Sequence, residues 1–360
     1  MEKIKKACKQ IAASHIADTT RRQSNFFIIG DQATFNAFKP CVDCYPMKKT
    51  TFSYLLLSAA LFASCSDRQG VEDVPKTSKE QVQSLTSEMV KAEITDNLQA
   101  FLSFYNSDAI SMPEYQPTLD GLHQIEAFYS EIFRRQDIVS FTKTTEEIFD
   151  IDNLIIEIGL LDKSYRAAVT DTIINQHGKY WHVWQKQPDG SLKIEGEAFG
   201  FFHHVANPEP LTVTFEEVEW NQQHNGTRLG VEYPFELRAY NSMMEKGVQT
   251  RDGEFRSNYF TEDGSFKPFA EPTVTGMAEI KPYLIAYSRR GQVKIDSVAV
   301  FTYDFRYLDG YVLEYDMFRV RWTNNDMQGR TEGKGIRLWR RMDDHSLRLF
   351  REIGTHNYLR

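Results

Sequence analysis

The chain has 360 residues, enough for two ordinary domains. Its 41 % hydrophobic, 13 % aromatic and 26 % charged residues are the balance of a packed globular protein, which excludes a disordered one. A net charge of −8, with no Lys/Arg block in the body of the chain, excludes a nucleic-acid partner, because phosphate binding needs a basic face.

Residues 1–46 mix basic, polar and aromatic residues without a clear period, and they read as an over-extended, disordered start with Met47 as the initiator. Cys41 and Cys44 form a CxxC, but a lone pair without a second pair or a βαβ context says little about zinc or redox chemistry. Residues 47–64 read as a signal peptide: Lys48 and Lys49 make a positive n-region, and Phe52 to Ala63 an apolar run too short to span a bilayer. The run ends in Leu61-Phe62-Ala63-Ser64-Cys65, which resembles the lipobox of bacterial lipoproteins. The resemblance implies cleavage before Cys65, lipidation of its sulfur, and a membrane partner through the lipid anchor. The location implied is the bacterial envelope, at the outer membrane, facing the periplasm or the surface. Residues 65–77 are polar, hold Gly70 and Pro75, and read as a tether.

The rest of the chain repeats. Asp108, Pro113, Pro117, Gly121 and Ile125 match Asp263, Pro268, Pro272, Gly276 and Ile280, each pair separated by 155 residues. Gly178, Lys179, Trp184, Asp189 and Glu197 match Gly333, Lys334, Trp339, Asp344 and Glu352 at the same offset, while Glu157 fits Glu314 better at 157. The copies are assigned to 78–205 and 206–360. In the first, helical spacing runs from Ser78 to Tyr105, with a capping box around Thr77 and Glu80. An irregular loop is predicted over Ser111–Gly121, then a helix carrying Ile125, Phe128, Tyr129 and Phe133 on one face. Strands are predicted at Leu154–Leu161, Ala167–Ile174, Tyr180–Gln185 and Leu192–Phe199. The second copy gives strands at Tyr311–Trp322, Gly335–Arg341 and Leu347–Ile353.

Helix, loop, helix, then an antiparallel sheet, with Tyr105 to Pro113 followed by Gly121 and Ile125, and Gly178 to Ile194 as a strand pair, resembles the SnoaL-like members of the nuclear-transport-factor-2-like superfamily. The resemblance implies an α+β fold: two tandem cones of helices packed on a curved antiparallel sheet. The superfamily holds isomerases, dehydratases, cyclases and non-catalytic binding domains, so it specifies fold better than function.

Family enzymes work inside the cone, and the steroid isomerases carry a base just before the loop proline. Met112 and Lys267 stand there. A thioether accepts no proton, and lysine does so at neutral pH only with a depressed pKa. Asp108 and Asp263 are expected to bond local backbone. Candidates for ligand contact are Tyr105, Tyr129, Trp181 and Glu157 in the first copy and Tyr283 and Glu314 in the second. Glu157 is an acid or base if it faces the cone, but exposed carboxylates outnumber buried ones and an outward position is expected. The more apolar strand face is expected to look into the cone, which puts Trp184 and Trp339 on the convex faces. Burial of these two between the sheets would make an intramolecular pseudo-dimer. No Gly-rich phosphate loop, GxSxG elbow or cluster at metal-ligand spacing appears, so neither cofactor nor metal is expected. The expected function is an envelope protein binding a small apolar ligand or a protein partner without catalysis. The alternative is a SnoaL-like hydrolase, dehydratase or isomerase.

Overall fold

The computed structural model describes residues 77–214, 228, 234–291, 293–325 and 327–359. The start, the signal-like segment, Cys65 and nearly all of the tether lie outside the described residues.

Helix α1 (Ser78–Ile94) begins where the sequence predicts. The Thr77 side chain accepts from the Glu80 amide, and the Glu80 carboxylate accepts from the Thr77 amide. Its buried stripe is Val82, Thr86, Met89 and Glu93, so two polar side chains sit on the core face. The helix does not run on to Tyr105. Asp96 takes a left-handed φ of 51°, and a short α2 (Leu98–Leu102) follows behind its Asn97 cap.

Next come β1 (Tyr105–Pro113), β2 (Leu119–Asp120), α3 (Leu122–Arg135), β3 (Gln136–Ile151), β4 (Leu154–Ala167), β5 (Thr172–Lys186) and β6 (Leu192–Phe201). The second copy repeats them as α4 (Phe235–Gln249), α5 (Gly253–Ser257), β7 (Phe260–Lys267), β8 (Val274–Thr275), α6 (Met277–Arg289), β9 (Lys294–Leu308), β10 (Tyr311–Asn324), β11 (Met327–Arg341) and β12 (Leu347–His356). The sheets run β2-β1-β6-β5-β4-β3 and β8-β7-β12-β11-β10-β9. β1 with β6 and β7 with β12 are parallel; every other neighbouring pair is antiparallel. Two tandem α+β cones result. Gly121 and Gly276 open the equivalent helices at φ of 80° and 74°, a region that costs glycine little, and their amides bond back to Ala109 and Gly264.

Three sequence expectations change. Ser111–Pro113 complete β1 instead of opening an irregular loop, and β3 is a full strand that the sequence reading misses. β3 is an edge strand with few fully buried positions, so its alternation is weak. The strand predicted over Ala167–Ile174 is interrupted: residues 168–171 form the turn between β4 and β5, with Asp171 left-handed, and Thr172–Ile174 begin β5.

The largest correction concerns which strand face looks where. Ile156, Ile158, Trp181 and Val183 of the first sheet pack against Leu313, Tyr315, Ile336 and Leu338 of the second in one shared cluster. The most apolar face is therefore the contact between sheets. Trp184 and Trp339 lie inside their own cones, against α1–α3 and α4–α6 respectively. Gly196 permits the close approach, since a Cβ there would stand 2.1 Å from the Tyr315 hydroxyl; the second copy has Arg351 at that repeat position.

Candidate functional site

The cone faces are polar where the sheet contact is apolar. Strand alternation sends Glu157, Tyr180, His182 and Trp184 inward, and α1 adds Thr86. Glu157 is fully buried, contrary to its expected outward position. Its carboxylate accepts from Thr145 Oγ1 (2.7 Å), Thr86 Oγ1 (2.8 Å), Tyr180 Oη (2.8 Å) and Trp184 Nε1 (3.0 Å), with His182 Nδ1 at 3.1 Å. Burial alone would raise its pKa, but these bonds, led by His182, hold it near 2. Burial, then Lys143, pushes the His182 pKa down, so the imidazole is neutral at physiological pH. The network assigns its Nδ1–H to Glu157 and leaves Nε2 to accept from Lys143 Nζ at 3.0 Å. A carboxylate so saturated is a structural anion, not a proton acceptor.

Tyr105 and Tyr129 meet at a second buried carboxylate, Glu197, donating at 2.9 and 3.0 Å beside Ser111 Oγ at 2.6 Å. Burial, with Glu197 next, raises both phenol pKa values well above the ordinary one. Ser111 therefore faces the cone. Its neighbour Met112, at the expected base position, belongs to the contact between sheets.

Beyond Tyr129 the first cone holds a cavity of about 60 Å³. Phe128, Ile132, Phe141 and Phe201 give it apolar walls, and Glu93, Glu114, Gln136, Lys143, Lys163 and Gln176 are its polar lining. Lys163 is paired with Glu93 at 2.6 Å. Three buried polar atoms of that lining make no hydrogen bond among the described residues: Glu114 Oε1, Gln136 Oε1 and Gln176 Nε2. Glu114 keeps one oxygen on the Phe201 amide at 3.0 Å. Burial, only partly offset by Lys179, raises its pKa to about 8, so at neutral pH it is mostly a neutral acid able to donate. An orphaned buried polar group costs about 1–3 kcal/mol, so these three atoms are placed to hydrogen-bond with whatever fills the cavity, solvent included.

The second cone keeps the buried-carboxylate motif. Glu314 accepts from Thr302 Oγ1 (2.5 Å), Trp339 Nε1 (2.8 Å) and Asn241 Nδ2 (3.3 Å), which stand where Thr145, Trp184 and Thr86 stand in the first. Arg337 replaces His182 and lies 3.0 Å from both Asp316 and Glu352 and 3.6 Å from Glu314. The cavity lining is not kept. At the repeat offsets Glu93, Glu114, Lys143 and Lys163 become Val248, Phe269, Val300 and Val320.

The sequence candidates are thus dispersed. Tyr129 lines the cavity; Tyr105, Glu157 and Glu314 lie in the cone networks; Tyr283 packs at the second cone against Phe266 and Tyr287. Trp181 is buried between the sheets, which corrects its assignment to the cone. The lining residues Glu93, Glu114, Gln136, Lys143, Lys163 and Gln176 were not among the candidates. Glu93 was legible, since it falls on the α1 stripe with Val82 and Met89. Asp108 and Asp263 lie on strands; Asp263 accepts from its own backbone amide, as local bonding predicts, and pairs with Arg340 at 3.0 Å. Among the described residues no group of three or more His, Cys, Asp or Glu could hold a metal ion, and no helix is long and apolar enough to cross a membrane.

No protein-family model and no curated protein matches the sequence. Solved structures similar to it include a ketosteroid isomerase-like protein from Erwinia carotovora atroseptica, 11 % identical, covering 36 % of this chain and 100 % of its own, with a TM-score of 0.33. A nuclear-transport-factor-2-like protein from Cytophaga hutchinsonii is 11 % identical over 35 % of this chain and 100 % of its own, TM-score 0.31. A superfamily protein of the same kind from Salmonella enterica serovar Typhimurium is 12 % identical over 34 % and 89 %, TM-score 0.31. The element order described above is that of two tandem α+β cones.

Proposed function

We propose that the first cone binds a small molecule without transforming it, and that the chain is a lipid-anchored binding protein of the bacterial envelope. The observation that carries the binding reading is the set of unpartnered atoms Glu114 Oε1, Gln136 Oε1 and Gln176 Nε2 around one cavity. Its size, about 60 Å³, suits a group of a few heavy atoms, since one water needs about 10–15 Å³ on the same scale. The lining asks for an amphipathic group able to donate and accept hydrogen bonds, not for a purely apolar ligand. Glu157 and His182, whose residue types suit acid–base work, are consumed by their own hydrogen bonds, which supports binding over catalysis. The order of n-region, apolar run and Cys65 supports the anchor.

The test is titration with small amides and alcohols while the side-chain amide resonances of Gln136 and Gln176 are followed by NMR. Saturable shifts of both are expected, and E114A should weaken them. No shift with any probe at high millimolar concentration would refute the reading. One observation favours the alternative enzyme: a carboxyl with its pKa near 8 in a cavity, Glu114, is suited to general-acid work.

A further inference from the structure

A second recess, of about 410 Å³, lies between the two copies. Lys267 forms its buried wall; Leu160, Phe202 and Pro272 are its apolar surface; Ser265, Thr273 and Thr275 add hydroxyls. Glu147 and Arg351 also line it, but they neutralise each other through a bidentate pair at 2.5–3.1 Å. Glu146 is exposed at the rim.

Lys267 is 2 % exposed, yet its one hydrogen bond among the described residues goes to Ser265 Oγ at 3.2 Å, and Glu147 is 4.0 Å away. The two other fully buried lysines provide an internal standard. Lys179 donates to three carbonyl oxygens, and Lys334 to three carbonyls and the Asn357 side chain. An ammonium offers three donors, so Lys267 is under-used where its neighbours are saturated. Thr273 Oγ1, on the same wall, is also buried without a hydrogen-bond partner among the described residues.

The duplication says what sign of ligand fits. The pseudo-equivalent place on the other side of the interface has Met112 for Lys267 and Asp120 for Thr275. There a cation from the chain itself is seated: Arg228 lies 3.2 Å from Asp120 and 3.5 Å from Asp304, and it donates to the Asp108 carbonyl. In the recess the Asp120 acid is replaced by the Thr275 hydroxyl and the Met112 thioether by the Lys267 ammonium, while Glu147 keeps the acid of Asp304 and is paired with Arg351, which donates to the Asp263 carbonyl as Arg228 does to that of Asp108; what the recess adds is the under-used Lys267.

We propose that this recess binds a small organic carboxylate, its charge on Lys267 and Thr273 and its apolar body on Leu160, Phe202 and Pro272. A carboxylate would add charge-assisted bonds to the under-used ammonium and accept one from the Thr273 hydroxyl. Benzoate is the probe, with inorganic phosphate as the control for a plain anion. Acylation of Lys267 by a water-soluble amine reagent, read by mass spectrometry, should slow about tenfold on saturation with benzoate, the effect of one charged contact. K267M, which installs the residue that the first copy carries there, should abolish the benzoate-induced rise in Tm, and T273V should weaken it. If benzoate protects neither Lys267 nor the fold, or if K267M keeps the full Tm shift, the proposal fails. Equal protection by phosphate would also overturn it, as a site for any anion. The Gln136 and Gln176 resonances report the cone separately, so either reading can fail alone.

Discussion

Lys179 and Lys334 hold the two copies together by the same reach in opposite directions. Lys179 Nζ donates to the carbonyls of Pro268 and Glu271, and Lys334 Nζ donates to those of Pro113 and Gln116. The lysines are repeat equivalents, and so are the loops that they enter. A pseudo-twofold contact is thus built from one motif used twice. Replacing either by methionine preserves most of the volume but orphans two buried carbonyls of the other copy. K179M and K334M are each expected to lower unfolding stability by about 2–4 kcal/mol in urea melts, at about 1–3 kcal/mol per orphaned group less partial relaxation. A change within about 0.5 kcal/mol, the ordinary effect of a surface substitution, would contradict the staple.

Glu157 receives five donors in the dry interior of the first cone. E157Q presents an amide NH₂ to groups that are already donors. A loss of about 3–5 kcal/mol is expected, the usual cost of breaking a buried ionic cluster by one member. W184F removes one donor of five and should cost less. Equilibrium unfolding of both variants checks the ranking, and the reverse order would mean that Glu157 is not the hub.

Two buried groups give stability opposite pH slopes. Burial holds the Glu114 carboxyl at about 8 in the fold against an ordinary 4.5, so the folded state binds the proton more tightly than the unfolded chain. That contribution is complete below about 4.5 and is lost as pH rises through about 8. Burial, with Lys334 next, lowers His356 from 6.5 to about 3, so the unfolded chain holds its proton more tightly and stability falls as pH drops through that window. E114Q should flatten the alkaline decline, and H356F, which keeps the stacking on Phe269, should flatten the acidic one. Urea melts across the pH range decide it; unchanged slopes would refute both assignments.

The anchor is checked on the native protein. Mass spectrometry of the membrane fraction should find an amino terminus at Cys65 carrying diacylglycerol, and C65S should remove the protein from that fraction. An amino terminus within residues 1–46 would refute it.

Periodicity shows amphipathic faces but not which neighbour covers them. The repeat, the Thr77 capping box and the strands β4–β6 and β10–β12 could be read because each is a local pattern. The inversion of Trp184 and Trp181 could not. Both faces of β5 are buried, so the rule that the apolar side faces the core has two cores to choose from. The cavity was hidden for another reason. Glu114, Gln136 and Gln176 come from the turn just past β1 and from β3 and β5, and no spacing in the chain brings them together. Glu157 was read outward because a lone carboxylate in a strand usually is. Its five donors come from α1, β3 and β5, which no window on β4 contains.

The duplication has a consequence for stoichiometry. With Val248, Phe269, Val300 and Val320 in place of Glu93, Glu114, Lys143 and Lys163, the second cone lacks the charged partners that the first supplies. A molecule with two matching halves would therefore saturate its cone at one ligand per chain, along a hyperbolic isotherm. If the first cone binds as proposed, the twofold architecture carries no cooperativity between cones, because the second lacks the charged lining.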